Sequence, residues 1–159
     1  MEAVVEHLSD YERGRGKPMP TLNHAFVQAN ILAELRTRYR KSYTCLSELN
    51  LTMPERPDAV PDIAVYPKLQ IDFLHDVTSM TEMPLIVVEI VSPSQSNDEI
   101  LAKFERYFKA GVKSCWLVLP SFQAISVYSA IGKYQFFTED STLFDSVTGI
   151  EIPLNTVFE

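Results

Sequence analysis

Two acidic residues stand at positions where a carboxylate is costly. Asp62 follows Pro61 at the start of a short apolar segment, and Glu89 interrupts the apolar run from Pro84 to Val91. A charge removed from water needs a partner or a metal ion to offset its desolvation. Two carboxylates that converge from neighbouring strands would suit Mg²⁺, which prefers oxygen ligands and commonly takes only one or two protein carboxylates. The alternative is that Asp62 caps a turn and Glu89 pairs with a structural Arg or Lys.

The elements that must position these residues follow from hydrophobic periodicity. Apolar residues three and four apart predict helices, and apolar or alternating runs bounded by Gly and Pro predict strands. Ser96 with Glu99 forms a capping box at the start of the second helix, and Gly111 ends it. The predicted elements are helix 22–39, strand 45–53, strand 62–66, loop 67–83, strand 84–91, helix 96–110, strand 115–119, and a hairpin of strands 124–129 and 133–138.

This order predicts an α/β (α+β) fold with an αβββαβ core. A chain of 159 residues, 46% hydrophobic and 22% charged, fits one compact domain. We expect residues 1–20 to be an extended lead-in, residues 21–120 to form the αβββαβ core, and residues 121–159 to add a β-rich C-terminal edge.

The net charge of −7 argues against a protein that coats nucleic acid nonspecifically, because such binding relies on Lys and Arg that neutralise phosphates. The charge is unevenly distributed. Residues 1–41 carry seven basic and five acidic side chains, a net of +2, so the other residues sum to −9. A basic front and an acidic body still allow a polyanion to approach one face.

The sequence carries no sign of a membrane span or of a disulfide framework. Its apolar runs are much shorter than the roughly 18 residues that a spanning helix needs. The first residues are acidic where a secretory signal would be basic and then apolar, so we expect a cytoplasmic protein without membrane contact. Cys45 and Cys115 lie 70 positions apart and are expected to be reduced, buried thiols.

Several short segments form a pattern that extends over nearly the whole chain. They are Pro61-Asp62, Val87 to Ser94, Asp98 to Tyr107, Gly111-Val112 and Trp116, preceded by Tyr11-Glu12, Gly16 to Pro20 and Asn23-His24. This pattern resembles the Uma-type restriction endonuclease family of the PD-(D/E)XK nuclease superfamily. The resemblance implies a restriction-endonuclease-like fold, in which helices flank a central mixed sheet, and metal-dependent hydrolysis of DNA phosphodiester bonds.

The lysine of the superfamily's usual motif is missing. It stands two residues after the acidic residue, a position that Val91 occupies here. Similar families carry this lysine on the following helix, which implies Lys103 as the displaced residue. Lys103 borders the apolar stripe of its predicted helix and can lean over the sheet edge where Glu89 ends. The alternative is a lysine on a solvated helix face.

The resemblance also implies roles for these residues. Asp62, Glu89 and the backbone carbonyl of Ile90 would hold Mg²⁺ or Mn²⁺, and Lys103 would orient the attacking water or offset charge in the transition state. No organic cofactor is expected.

Further candidates have ordinary structural explanations as well. Glu48 or Glu34 would add a fourth group to the site, or each is structural. His24 would meet a phosphate or organise the site, or it makes a hydrogen bond at the helix start. Two explanations fit the basic cluster of Arg36, Arg38, Arg40 and Lys41. The cluster contacts DNA, or it only compensates the dipole at the C-terminal end of its helix.

The leading hypothesis is a hydrolase, a Mg²⁺-dependent DNA endonuclease. The alternative is a catalytically silent nucleic-acid- or protein-binding module that retains the nuclease fold. A serine hydrolase is disfavoured because the chain has no Gly-x-Ser-x-Gly elbow. DNA is the expected partner. Whether the acidic body also forms a homodimer interface is left open by the sequence.

Overall fold

The computed structural model of this chain describes Asp10, Arg13 and residues 19–159. Asp10 and Arg13 are helical, and their side chains form an ion pair of 3.7 Å. The expectation of an extended lead-in is therefore wrong at these two positions, because the Gly and Pro residues that suggested it begin only at Gly14. The remainder of residues 1–18 lies outside the described part of the chain.

The described elements follow the predicted order. They are α1 (Leu22–Tyr39), β1 (Tyr43–Ser47), β2 (Ile63–Pro67), β3 (Ile86–Ile90), α2 (Asn97–Ala110), β4 (Ser114–Leu119), a 3-10 helix (Pro120–Phe122), β5 (Ala124–Ala130), β6 (Lys133–Thr138), β7 (Thr142–Phe144), β8 (Glu151–Pro153) and α3 (Asn155–Phe158). The first six elements of this series, α1 to β4, form the predicted αβββαβ core.

The central sheet is mixed, as expected. Its strand order is β1-β2-β3-β4-β5-β6, and β3 pairs with β4 in parallel while the other neighbours are antiparallel. A parallel pair needs a long crossover, which α2 provides. All five residues of β3 are buried, as the apolar run with its single carboxylate predicts. Strands β5 and β6 form the predicted hairpin, and β7 pairs with β8 in a separate small sheet.

Local signals in the sequence set the helix ends. Oγ1 of Thr21 accepts a hydrogen bond of 3.3 Å from the His24 amide at the start of α1. Oγ of Ser96 accepts one of 3.2 Å from the Glu99 amide at the start of α2. Gly111 ends α2 at φ +111°, a conformation that glycine adopts without steric cost.

The strand predicted over residues 45–53 is wrong in its bounds. β1 starts at Tyr43 and ends at Ser47, and Glu48 then turns the chain with a φ of +50°. The left-handed region costs a non-glycine residue about 1–2 kcal/mol. Alternation continues past this turn because Leu51 and Met53 are still buried, now in the core beneath α2. Leu51 retains only isolated bridges to other loops.

Two cores lie on opposite faces of the central sheet. On one face α1 contributes Val27, Ile31 and Leu35, which pack with residues of β7, β8 and α3. On the other face α2 contributes Ile100 and Phe104, together with Tyr107. The two long helices therefore flank the sheet, and both can deliver side chains to its edges.

Two further expectations concern membranes and thiols. Within the described ranges, no helix combines the length and the apolar character that crossing a bilayer requires. Cys45 and Cys115 are buried and free, as predicted. Burial raises the pKa of the Cys45 thiol to about 11, which keeps it protonated at neutral pH.

Candidate active site

Asp62 and Glu89 stand opposite each other where β2 begins and β3 ends. The antiparallel register pairs Ile63 with Val88, so the next position along places Asp62 opposite Glu89. Residues directly opposite in such a pair share a face of the sheet, with Cβ atoms about 4.5–5.5 Å apart. Their exposed fractions are 4% for Asp62 and 3% for Glu89. The fold thus brings both predicted carboxylates to one buried location.

Groups from several elements hold Asp62 in place. Its Oδ2 accepts a hydrogen bond of 2.8 Å from the amide of Ile90 and lies 3.1 Å from Nε2 of His24. Its backbone carbonyl accepts from Nε2 of Gln28 at 3.0 Å and from the amide of Glu48 at 3.1 Å. The sequence could not reveal the contact with His24, because the two residues lie far apart in the chain and meet only when α1 docks.

Glu89 is held from α2. Its Oε1 accepts a hydrogen bond of 2.8 Å from the hydroxyl of Tyr107, and its Oε2 lies 4.0 Å from Nζ of Lys103. Lys103 and Tyr107 are four positions apart, so they share one face of the helix.

Tyr107 is a site residue that sequence reasoning placed only in the apolar stripe of its helix. Burial, and next the charge of Glu89, raise the pKa of its hydroxyl well above the ordinary value, so the group stays protonated and donates. The available signal in the sequence was its position four residues after Lys103, which places both side chains on the same face of the helix.

One small pocket joins these side chains. It has a volume of about 60 Å³ and is lined by Met19, Pro20, His24, Glu48, Val60, Asp62, Glu89, Ser92, Ser94, Gln95 and Lys103. Pockets that enclose small organic molecules usually measure about 300–1,000 Å³. This pocket therefore has room for an ion and a few water molecules, with the larger part of any substrate outside it.

The donor set fits a hard divalent cation. Within residues 19–159, together with Asp10 and Arg13, no group of three or more His, Cys, Asp or Glu is placed to hold a metal. Asp62 and Glu89 supply two carboxylates, and the carbonyl of Ile90 is the adjoining backbone oxygen. Mg²⁺ commonly uses one or two carboxylates and completes its coordination with water and substrate oxygens.

Of the remaining candidate residues, His24 and Glu48 lie at the pocket and Glu34 does not. His24 and Glu48 line it, with Glu48 exposed at its border. Glu34 is directed elsewhere, because its Oε2 accepts a hydrogen bond of 2.8 Å from Nε of Arg38 on the outer side of α1.

The basic cluster lies near the opposite end of α1. All four of its side chains are exposed: Arg36, Arg38, Arg40 and Lys41. Arg36 is 12 residues from His24, which corresponds to about 18 Å along the helix. The cluster therefore cannot contact the same phosphate as the pocket.

A third buried carboxylate, Asp145, belongs to a structural network that the sequence did not reveal. Its Oδ2 accepts from Oγ of Ser114 at 2.7 Å and from Nε1 of Trp116 at 2.8 Å. Its Oδ1 accepts from the amides of Val147 at 2.9 Å and Thr148 at 3.3 Å. Four donors satisfy this group, which fastens the β7–β8 connection to β4.

Comparison with known proteins points to nucleases. The profile of the Uma2 family, described as "Putative restriction endonuclease", matches residues 6–155. A solved structure with the same fold is the crystal structure of "a putative nuclease belonging to DUF820" from Anabaena variabilis ATCC 29413. It has a TM-score of 0.75 and 21% identity, and the match covers 89% of this chain and 83% of that one. A search of curated proteins finds no match.

Proposed function

Because this chain belongs to the Uma2 family, whose description is "Putative restriction endonuclease", we propose that it hydrolyses phosphodiester bonds of DNA with Mg²⁺ or Mn²⁺ as cofactor. The family supports a nuclease as the general class. The finer proposal rests on one observation: two opposed, buried carboxylates share a small pocket with a lysine. Buried carboxylates at the edge of an apolar sheet are costly, and cation binding would offset that cost.

Asp62 and Glu89 are the proposed cation ligands, with the backbone carbonyl of Ile90 as a third. When bound, the cation supplies positive charge that polarises the phosphate and offsets negative charge as the bond breaks. The Ile90 amide and His24 hold Asp62, and the Tyr107 hydroxyl holds Glu89. Such supporting hydrogen bonds fix the orientation of ligands before substrate arrives.

Lys103 is the proposed cationic group of the reaction. Its side chain is 41% exposed and extends from α2 to a point 4.0 Å from Oε2 of Glu89. Of the described residues that line the pocket, it is the only Lys or Arg. A charge at the border of a buried site can orient the attacking water or stabilise the negative charge that develops on the phosphate.

The basic cluster of α1 is a proposed second contact with DNA. At about 18 Å from the pocket, it would touch the backbone several nucleotides away from the cleaved bond. It would contribute to affinity and to salt dependence, with no part in the chemical step.

Cleavage of plasmid and of a single-stranded oligonucleotide by purified protein, with Mg²⁺ or with EDTA, tests the proposed function. We expect cleavage only with the metal, and we expect Asp62→Ala and Glu89→Ala to abolish it. Glu105→Ala is the matched control, because it removes an exposed carboxylate from α2 that does not line the pocket. Binding of DNA without cleavage in either Mg²⁺ or Mn²⁺ would instead identify the silent binding module.

A further inference from the structure

We infer that a groove beside the active site binds an unpaired nucleobase of single-stranded DNA, next to the phosphate that is cleaved. This inference rests on the proposed function and names its substrate more closely. The groove, called here the Phe122 groove, has a volume of about 410 Å³. Its walls are the first turn of α1, the segment that follows β3, and the 3-10 helix that contains Phe122. This volume lies in the range of pockets that enclose small organic groups.

The groove is continuous with the candidate active site. His24 and Ser92 line both cavities. A ligand that places a phosphate beside Glu89 and Lys103 therefore has its neighbouring groups at the entrance of the groove. In a nucleotide chain, those neighbouring groups are a sugar and a base.

The lining of the groove matches a base better than a phosphate. Apart from His24, none of its described lining residues carries a formal charge. Leu22 and Phe122 present apolar surface and are 83% and 73% exposed. Asn23 and Asn97 add amide groups, which both donate and accept hydrogen bonds. A base offers the same combination, an apolar face for stacking and a polar edge.

His24, which lines both cavities, adds a buried polar atom. Its Nε2 lies 3.1 Å from Oδ2 of Asp62, so the second ring nitrogen, Nδ1, is left for another partner. Nδ1 is buried and has no hydrogen-bond partner among the residues that the structure describes. Buried polar atoms without partners are uncommon in folded proteins, and a polar group of a ligand that reaches this nitrogen would satisfy it.

An unpaired base is required because a paired one is inaccessible. Within a duplex the two faces are stacked and the pairing edge is occupied, so enzymes that grip a base act on single strands or extrude it. Single-stranded DNA is therefore the inferred source of the base, because Phe122 and Leu22 can stack on it without the energetic cost of unpairing a duplex.

Fluorescence of a single-stranded oligonucleotide with one 2-aminopurine tests this inference without any cleavage. The probe is mixed in EDTA with the full-length Glu89→Gln protein, and we expect stacking in the groove to quench its emission. Adding Phe122→Ala should raise the dissociation constant by about 5- to 150-fold, the contribution typical of one stacked base. Phe136→Ala is the matched control, because it removes an exposed Phe of β6 that does not line the groove. Phe122→Trp should retain binding.

Each outcome separates this inference from the proposed function. If the metal-loaded wild type cleaves DNA and Phe122→Ala quenches like its parent, the groove assignment is wrong and the nuclease proposal stands. If quenching depends on Phe122 and the wild type cleaves nothing, the groove binds a base and the nuclease proposal is wrong. Equal, Phe122-dependent quenching of a fully paired duplex would overturn single-stranded DNA as the source.

Discussion

The hydroxyl of Tyr107 donates a hydrogen bond of 2.8 Å to Oε1 of Glu89, and both side chains are buried. One turn earlier on the same helix, Lys103 approaches the other carboxylate oxygen at 4.0 Å. Both oxygens of Glu89 are thus oriented by α2, whereas Asp62 is oriented by α1 and β3. The relative positions of the two proposed cation ligands depend on how these helices dock on the sheet.

Tyr107→Phe should weaken function through the cation. The variant removes the hydroxyl that donates to Glu89, and loss of such supporting hydrogen bonds typically costs about 10- to 100-fold in metal affinity or activity. We expect a higher Mg²⁺ concentration for half-maximal plasmid cleavage. Tyr66→Phe is the control, because it removes a buried hydroxyl that donates to the carbonyl of Glu82 at 2.8 Å, outside the pocket. If both variants change the Mg²⁺ dependence equally, Tyr107 contributes only to packing and does not support the cation ligand Glu89.

Lys103→Met should slow cleavage by at least about 100-fold, the typical cost of losing one preorganised group that stabilises the transition state. Folding and Mg²⁺ binding should change little, because substitutions of exposed helix residues usually alter stability by no more than about 0.5 kcal/mol. Single-turnover rates measure the chemical step directly.

Lys109→Met provides the control for this lysine, because Lys109 lies on the same helix and pairs with exposed Glu55. Adding Val91→Lys to Lys103→Met tests whether a lysine at the usual position restores cleavage. Parent-like rates for Lys103→Met, with Asp62→Ala inactive, would reject the displaced-lysine assignment. The other candidates are poorly placed, because Lys68 donates to the carbonyl of Arg40, and Arg106 to those of Glu55 and Pro57.

Mg²⁺ should stabilise the wild-type protein against heat. A cation present at 100 times its dissociation constant adds about 2.7 kcal/mol to the free energy of unfolding. For a domain of this size, that corresponds to a rise in Tm of roughly 5–11 °C. Asp62→Asn and Glu89→Gln should remove this rise, and Glu105→Gln should keep it. Differential scanning calorimetry with and without Mg²⁺ measures the shift, and full shifts in both site variants would place the cation elsewhere.

The cysteines should prove structural. The double variant Cys45→Ala/Cys115→Ala should keep its specific activity while losing stability, because both thiols are buried. Burial raises the pKa of Cys45 from about 9 to about 11, so the unfolded chain loses this proton first. Stability therefore falls as pH rises from about 9 to 11, and the double variant should show a shallower fall. Urea unfolding at pH 8 and pH 10 measures both effects, and lost turnover in a folded double variant would point to a catalytic thiol.

Elements with several agreeing local signals were predictable from sequence. The helix Asn97–Ala110 has a capping serine, an apolar stripe and a terminal glycine, and the strand Ile86–Ile90 has an apolar run that no helix pattern matches. The end of β1 was not predictable in this way. The alternation past Glu48 reflects burial of Leu51 and Met53 in the core under α2, and periodicity does not record where the strand stops.

The site was partly predictable for a related reason. Carboxylates within apolar runs are conspicuous, so Asp62 and Glu89 could be found from the free-energy cost of burying a charged group. Tyr107 was hidden because an aromatic residue on an apolar helix face is usually core, and only the fold reveals where its hydroxyl points. Asp145 lies in a polar stretch where an acidic residue is ordinary, and its burial depends on donors about 30 positions away.

The contact between α1 and α3 bears on the order in which the core beside α1 closes during synthesis. Asn30 of α1 donates to the carbonyl of Val157, a residue translated 127 positions later. At about 5–20 residues per second, the ribosome takes roughly 6–25 s to cover that distance. Until then α1 lacks part of the apolar surface that covers it, to which β7, β8 and α3 all contribute. A nascent chain would therefore leave the core-facing side of α1 partly uncovered until α3 has been translated.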